Sequence, residues 1–211
     1  MYTGIVQACC RITHTKKSPG LLTFALVLPP SLSAQVTLGA SIAINGCCFT
    51  VTSMEALDAG LQVTFDAIQE TLDLTNIGLL DIGSRVNVER SAKYDAEIGG
   101  HVLSGHIVGT ASVSAITTFE NNCRMTFEGD PHWLRYVFEK GYLAINGASL
   151  TVAAVDRVAN TLAVNLIPET LRQTNFSELS QGSLVNIEVE SQTQVIVDTV
   201  ERIMAERFAE H

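Results

Sequence analysis

Polar and apolar residues alternate in short segments along most of this chain. The alternation is clear over residues 62–65, 86–89 and 185–190, with Gly, Asn or Asp close to each segment. Successive side chains of a strand point to opposite faces of a sheet, so a period of two is typical of strands that are buried on one face. The hydrophobic pattern therefore predicts an all-β fold built from short strands.

The same pattern occurs twice. Residues 43–51 read AINGCCFTV, and residues 144–152 read AINGASLTV. The offset of about a hundred residues is too long for a solenoid, whose repeats span roughly 20–50 residues. Asn-Gly in the middle of each block favours a tight turn between two strands. We therefore predict two tandem domains, each a small closed β-barrel. Further matches pair 70–76 with 169–175 and 83–89 with 182–188.

A joint between the two copies is predicted at the Ile-Gly-Gly run of residues 98–100. The second copy begins near His101, because VLSG at 102–105 aligns with MYTG at 1–4. The sequence after residue 190 has no counterpart in the first copy. The predicted division is a first repeat over 1–97, a second repeat over 98–190 and a terminal segment over 191–211.

Three short helices are predicted to interrupt the strands. Glu-Thr-Leu at 70–72 and at 169–171 each precedes a Thr-Asn pair, which is expected to end a short helix. Asp130 followed by Pro131 is a typical N-terminus, and the helix is predicted over 131–138.

The terminal segment predicts an amphipathic helix over 194–209. Its apolar residues recur at helical spacing, and i,i+4 ion pairs are available at Asp198/Arg202 and Arg202/Glu206. Such a helix can pack on its own barrel or against copies of itself. Self-association is the favoured alternative, because two closed barrels offer the helix no obvious groove. The apolar stripe consists of Ile196, Val197, Val200, Ile203 and Met204.

Composition narrows the function classes. The net charge is −9 and only 17% of the 211 residues are charged, which argues against a nucleic-acid surface. No apolar run approaches the roughly 20 residues of a transmembrane helix, and the N-terminus lacks the features of a signal peptide. We therefore expect a cytoplasmic protein with reduced thiols. The five cysteines form neither a disulfide framework nor a zinc-binding spacing.

The two copies differ where chemistry is expected. Cys48 in the first copy corresponds to Ser149 in the second, and His106 stands where the first copy has Ile5. A thiolate is a strong nucleophile and imidazole carries protons near neutral pH. The residues alone leave open a buried, inert role for Cys48 and purely structural roles for the hydroxyls of Ser149 and Thr151.

The sequence resembles the riboflavin synthase family over essentially its whole length. The resemblance rests on MYTGIV at 1–6, NGCCFTV at 45–51, GGHVLSGH at 99–106 and LIPETL at 166–171. It implies two similar six-stranded Greek-key barrels and a C-terminal helix through which three chains form a homotrimer. It also places the productive site between the first domain of one chain and the second domain of a neighbour.

The resemblance further implies the reaction. Two molecules of 6,7-dimethyl-8-ribityllumazine would yield riboflavin and 5-amino-6-ribitylamino-pyrimidinedione, without a metal or another cofactor. Association with lumazine synthase is left open. The rival interpretation is a non-catalytic lumazine- or flavin-binding antenna protein built on the same barrels. The reactive residues and the terminal helix favour the enzyme.

Site residues follow from the same resemblance. Cys48 is the expected nucleophile and His106 the expected acid or base, while Lys140 neutralises charge near the second ligand. Glu190 stands where the family commonly has aspartate, and His101 is expected to have a structural or solvent-facing role in the linker. The implied catalytic set is Ser41, Cys48, His106, Ser149, Thr151 and Glu190. The implied substrate-binding set is Gly4, Ile5, Val6, Cys48, Phe49, Thr50, Asp66, Ala67, Ile68, Gln69, Glu70, Thr71, Gly105, His106, Ile107, Lys140, Ser149, Leu150, Thr151, Asn165, Leu166, Ile167, Pro168, Glu169 and Thr170.

Overall fold

The computed structural model describes residues 1–95 and 97–209. Its strands are antiparallel and form one sheet in each half of the chain. In the first half they are β1 (Ala8–Ser18), β2 (Leu21–Leu28), β3 (Ser41–Ile44), β4 (Cys47–Thr50), β5 (Ser53–Leu57), β6 (Gly60–Ile68) and β7 (Arg85–Arg90). In the second half they are β8 (Gly109–Thr118), β9 (Cys123–Gly129), β10 (Tyr142–Ile145), β11 (Ala148–Asp156), β12 (Thr161–Leu166) and β13 (Leu184–Val189).

The two sheets share one topology but differ in closure. The second is a closed six-stranded barrel in the order β10-β11-β12-β9-β8-β13. The first has the order β4-β3-β7-β1-β2-β6-β5 and stays open between β4 and β5. In the second half the single strand β11 occupies the places that β4 and β5 take in the first half. It has a register shift between Val152 and Ala154. The predicted all-β double-repeat class is confirmed, and the first repeat differs from the prediction because its strand is interrupted at 51–52.

Each half buries its own hydrophobic core. In the first, the rings of Phe24, Phe49 and Phe65 pack with centroids 5.1–6.0 Å apart. In the second, Trp133 and Phe127 are fully buried. Each aromatic side chain removes about 150–250 Å² from water, so these rings supply much of the apolar area that stabilises the barrels.

The short helices lie near the predicted positions. Those at 70–72 and 169–171 are confirmed, and each ends before its Thr-Asn pair. The third is shorter than the predicted 131–138, and the Asp130 carboxylate accepts a hydrogen bond from the His132 amide at 2.8 Å, as an N-cap does. The α-helices are α1 (Pro30–Ser33), α2 (Gln69–Leu74), α3 (Pro131–Leu134), α4 (Pro168–Gln173) and α5 (Ser191–Ala209).

The two predicted Asn-Gly turns meet back to back where the halves join. Backbone φ is +46° and +81° at Asn45-Gly46 and +44° and +79° at Asn146-Gly147, as a type I′ turn requires. The turns touch so closely that a Cβ atom added to Gly46 would lie 2.7 Å from the amide nitrogen of Gly147. The contact therefore depends on both glycines.

A network of buried asparagines fastens this junction. The side-chain amide of Asn186 donates to the Asn45 carbonyl at 2.9 Å, and that of Asn87 donates to the Asn146 carbonyl at 2.9 Å. Each turn is thus held by the opposite half of the chain. Buried amides need such partners, so the network fixes how the barrels sit against each other. Its members are Asn45, Asn76, Asn87, Asn146, Asn175 and Asn186.

Helix α5 docks on the second barrel through its first half. Val197 packs against the second core, and the Arg135 guanidinium donates to Asp198 and Glu201 at 2.9 Å each. The hydroxyl of Tyr136 also donates to Asp198 at 2.6 Å. Asp198 is therefore engaged by the barrel, and Arg202, its predicted helical partner, is not among its contacts in the described residues.

Four of the five residues of the apolar stripe of α5, all but Val197, face away from its own barrel. Ile196 is 63% exposed, Val200 49%, Ile203 44% and Met204 51%. Residues 210 and 211 of the predicted terminal segment lie outside the described residues. Within the described part of the chain, no helix has the length and apolar character needed to cross a membrane.

We predict that Arg135→Gln loosens α5 from the barrel. The variant loses both ion pairs and the hydrogen bond to Tyr136, although solvent weakens each pair. Hydrogen–deuterium exchange of the α5 amides should accelerate several-fold. Arg172→Gln is the matched control, because the bond from Arg172 to Glu169 lies within α4. Equal exchange rates of α5 in the wild type and Arg135→Gln would contradict this docking role.

Candidate active site

Each half of the chain lends a leading segment to the barrel of the other half. We define the leading segments as residues 2–6 and 103–107. They pair with each other through an antiparallel bridge between Tyr2 and Leu103. The Gly4 carbonyl then accepts from the Ser149 amide at 2.8 Å, and the Gly105 carbonyl accepts from the Cys48 amide at 3.0 Å. The strand that carries each predicted reactive residue is therefore bordered by the other repeat.

Two buried carboxylates hold the leading segments. Glu89 accepts from the Thr3 amide at 2.6 Å, the Thr3 hydroxyl at 2.8 Å and the Gly4 amide at 3.0 Å. Glu188 receives the equivalent bonds from residues 104 and 105 at 2.7–3.2 Å. Burial raises the pKa of both carboxyls, and the hydrogen bonds only partly offset this effect.

This burial predicts a pH dependence of stability. A carboxyl whose folded pKa lies above its ordinary value of 4.5 binds a proton more readily in the folded state. Its contribution to stability is therefore complete below pH 4.5 and declines as the pH rises through the raised value. The free energy of unfolding of the wild type minus that of Glu89→Gln should fall between pH 4 and pH 7 in urea titrations.

The repeat provides the matched comparison. Glu188→Gln should give the same downward trend, because burial raises the pKa of Glu188 in the same way. A difference that grows as the pH rises would mean that the hydrogen bonds outweigh burial.

The second-half site is a cleft of about 360 Å³ between the first leading segment and the second barrel. It joins three groups of predicted residues: Gly4 to Val6, Ser149 with Leu150, and Glu169 with Thr170. Polar and apolar groups both face the cleft, as in sites for small organic ligands. Its lining is Gly4, Ile5, Val6, Gln7, Ala148, Ser149, Leu150, Glu169, Thr170, Gln173 and Thr174.

His101 lies beside Ser149, in a position that the sequence did not predict. Its Nδ1 atom is 2.6 Å from the Ser149 hydroxyl, and its ring stacks on Tyr142 with centroids 5.2 Å apart. The imidazole is buried, and its Nε2 atom has no hydrogen-bond partner in the described residues. Burial lowers the pKa of His101, and the charge of Glu190 only partly opposes this. The ring is therefore neutral at pH 7 and able to accept a proton from the hydroxyl.

The first-half site centres on Cys48. Its half-buried sulfur accepts a hydrogen bond from the Tyr2 hydroxyl at 3.1 Å. His106 follows Gly105 directly and is exposed, and Ile107 packs on the first core. The second leading segment thus carries an exposed imidazole next to the residue whose carbonyl binds the Cys48 amide.

Strand alternation sorts the other predicted residues. Cys48 and Thr50 lie on the outward face of β4, and Ser149 and Thr151 on that of β11. Ser41 pairs across the sheet with Thr50. Side chains of four predicted binding residues point into the cores, so any contact with a ligand falls to their backbones. These four are Phe49, Ala67, Leu150 and Leu166.

The junction between β6 and α2 in the first half, over residues 66–71, is largely exposed. Asp66 accepts a hydrogen bond from the Thr23 hydroxyl at 2.6 Å, and the side-chain amide of Gln69 donates to the Asp73 carboxylate at 2.7 Å. The Thr71 carbonyl accepts from the Thr75 hydroxyl at 2.6 Å. The predicted binding residues at this junction are Asp66, Ala67, Ile68, Gln69, Glu70 and Thr71.

Several predicted residues lie outside the second-half cleft. Asn165 and Ile167 border a separate hollow beside the β8–β9 hairpin. Lys140 is exposed in a turn, with φ of +65°. Glu190 caps α5 by accepting from the Thr193 amide at 2.6 Å. Burial opposes ionisation of Glu190, but the hydrogen bonds from Thr193 and the adjacent amide outweigh it and lower its pKa.

The fold is that of a protein with two tandem lumazine binding domains. The family model described as a lumazine binding domain matches residues 3–91 and 104–190. The riboflavin synthase of Escherichia coli (strain K12) is 45% identical over 208 residues, which cover 98% of this chain and 95% of that protein. The riboflavin synthase of Chlamydia pneumoniae is 38% identical over 205 residues, covering 97% and 98%. The chain belongs to the riboflavin synthase family, as the sequence resemblance indicated.

Solved structures show the same architecture. LumP complexed with riboflavin has a TM-score of 0.81 at 25% sequence identity, covering 90% of this chain and 100% of that chain. LumP complexed with 6,7-dimethyl-8-(1'-D-ribityl) lumazine has a TM-score of 0.80 at 26% identity, covering 90% and 99%.

Proposed function

We propose that this protein converts two molecules of 6,7-dimethyl-8-ribityllumazine into riboflavin and 5-amino-6-ribitylamino-pyrimidinedione. The observation that carries the proposal is the reciprocal arrangement of the two sites, in which each repeat borders the reactive strand of the other. One fold thus offers two similar ligand positions with different reactive groups, Cys48 and Ser149. Membership in the riboflavin synthase family supports the same reaction.

The chemistry requires unequal partners. One lumazine loses a proton from its C7 methyl group, and the ring delocalises the resulting carbanion. The other lumazine becomes an electrophile after a reversible nucleophilic addition, which we assign to the Cys48 thiolate. Ser149 with His101, and the exposed His106, are the proposed proton carriers. Holding both rings together replaces an encounter of two molecules by a local reaction, which contributes several kcal/mol.

The proposed site forms between chains. The exposed apolar stripe of α5 supports association into a homotrimer, because burial of such a stripe against copies of itself is favourable. The first repeat of one chain would then face the second repeat of its neighbour. We also propose that the chain divides into a first repeat over 1–97, a second repeat over 98–190 and a terminal segment over 191–211. The five free cysteines support a reducing cytoplasmic compartment.

Turnover of the purified full chain tests the proposal. Incubation with 6,7-dimethyl-8-ribityllumazine should form one riboflavin and one pyrimidinedione for every two lumazines consumed, measured by absorbance and chromatography. Lumazine binding without riboflavin formation would overturn the enzyme and favour the antenna protein. The similarity to LumP makes that alternative worth testing in the same assay.

A further inference from the structure

Tyr2 touches the sulfur of Cys48, a contact that the sequence did not predict. The Tyr2 side chain is only 2% exposed and lies with Leu103, Ala43 and Ala144 in a small apolar cluster between the halves. Its hydroxyl donates to Cys48 Sγ at 3.1 Å. Packing alone does not explain why a buried phenol donates its hydrogen bond to a thiol sulfur.

We propose that Tyr2 is a positioning residue for Cys48, whose phenol stabilises the sulfur as a thiolate and directs it toward the bound lumazine. The proposal rests on the nucleophilic role of Cys48 stated above. A hydrogen bond donated to an anion is stronger than one donated to a neutral group, so this contact favours the ionised sulfur over the thiol.

Two neighbours of Cys48, Tyr2 and Cys47, keep their protons at neutral pH. Burial raises the pKa of Cys47 to about 12, so that Cys47 stays a thiol. Burial and the bond to Cys48 raise the pKa of Tyr2, so its phenol keeps the proton that it donates. Among the described residues, the charges of Cys48 and Glu89 act on Tyr2, those of Cys48 and Glu188 act on Cys47, and that of His106 acts on Glu188.

The repeat shows that the contact is specific to one site. The counterpart of Tyr2 in the second leading segment is Leu103, which cannot donate a hydrogen bond. Ser149 is approached instead by His101, a neutral imidazole at 2.6 Å. A thiolate is stabilised by a hydrogen-bond donor, whereas a hydroxyl needs a base that accepts its proton. Each reactive residue therefore has the partner that its own chemistry requires.

The test is alkylation of Cys48 by iodoacetamide in wild type and Tyr2→Phe, followed from pH 5 to pH 10 with peptide fragmentation. Phenylalanine keeps the ring and removes only the hydroxyl. The pH profile of Cys48 alkylation should move to higher pH, and the rate at pH 7 should fall about tenfold. Tyr94→Phe makes the same change at a fully exposed tyrosine and should leave the profile unchanged.

Each result of the alkylation experiment either supports or overturns the proposed role of Tyr2. An unchanged profile in Tyr2→Phe would mean that Tyr2 only packs between the halves. Buried Cys47, read from the same peptide, reports folding; loss of its protection in Tyr2→Phe would likewise assign Tyr2 a structural role and overturn the proposal. Alkylation uses no lumazine, so a shifted profile in a chain that forms no riboflavin would refute the proposed function and leave this inference intact.

Discussion

Cys48→Ser is expected to slow riboflavin formation at least about a hundredfold, or about 2.7 kcal/mol of activation free energy. The serine hydroxyl is a far weaker nucleophile than a thiolate at neutral pH. Cys48 lies on the outward face of β4, away from the first core, and its sulfur accepts a hydrogen bond from the Tyr2 hydroxyl. The measurement is steady-state turnover of 6,7-dimethyl-8-ribityllumazine by the folded variant.

The neighbouring cysteine is the matched control. Cys47 points into the first core, so Cys47→Ser places a hydroxyl among apolar groups and should lower the unfolding temperature. Turnover by the folded fraction should stay close to that of the wild type. Equal losses of turnover in the two variants would contradict the assignment of Cys48 as the nucleophile.

Gly46→Ala is expected to destabilise the protein by at least about 4 kcal/mol, an exceptional value for one methyl group. Its backbone φ is +81°, and the added Cβ would lie 2.7 Å from the amide nitrogen of Gly147 in the facing turn. The two turns cannot separate without breaking bonds of the asparagine network, such as that from Asn186 to the Asn45 carbonyl. Urea unfolding of the wild type and of Gly46→Ala measures the loss in the free energy of unfolding.

Gly39→Ala separates backbone strain from the steric clash. Gly39 has φ of +80°, but no atom lies within 4 Å of an added Cβ. Its replacement should cost only the left-handed penalty, about 1–2 kcal/mol. Similar losses of stability in Gly39→Ala and Gly46→Ala would show that the junction tolerates the methyl group.

The fold could be predicted because its signals are local in the sequence. Strand alternation, the repeated Asn-Gly turns and the Thr-Asn helix stops each depend on residues close in sequence, and the structure has these elements at or near the predicted positions. The interruption at 51–52 was not predictable, because the matching segment of the second copy forms one strand with a register shift. Helical spacing pairs Asp198 with Arg202, because the sequence cannot show that Arg135 approaches Asp198 from the barrel.

The site was harder to predict because its contacts are long-range. The repeat pointed to Cys48 and Ser149, but no local signal showed that the leading segments cross to the opposite barrels. The sequence pattern places His101 in the linker, although the Gly-Gly pair before it is the signal that it lies close to other backbone. A Cβ on Gly100 would lie 2.4 Å from the Thr3 carbonyl oxygen and 2.6 Å from Ser149 Cβ.

The central claim about this protein is that one reaction needs the Cys48 site of one chain and the Ser149 site of another. Hybrid oligomers of Cys48→Ser chains and Ser149→Ala chains, isolated through two affinity tags, test it directly. In a ring of three chains that contains both variants, one interface unites the two intact sites. The hybrids should form riboflavin faster than either parent oligomer. A hybrid rate no higher than the mean of the two parents would contradict the claim.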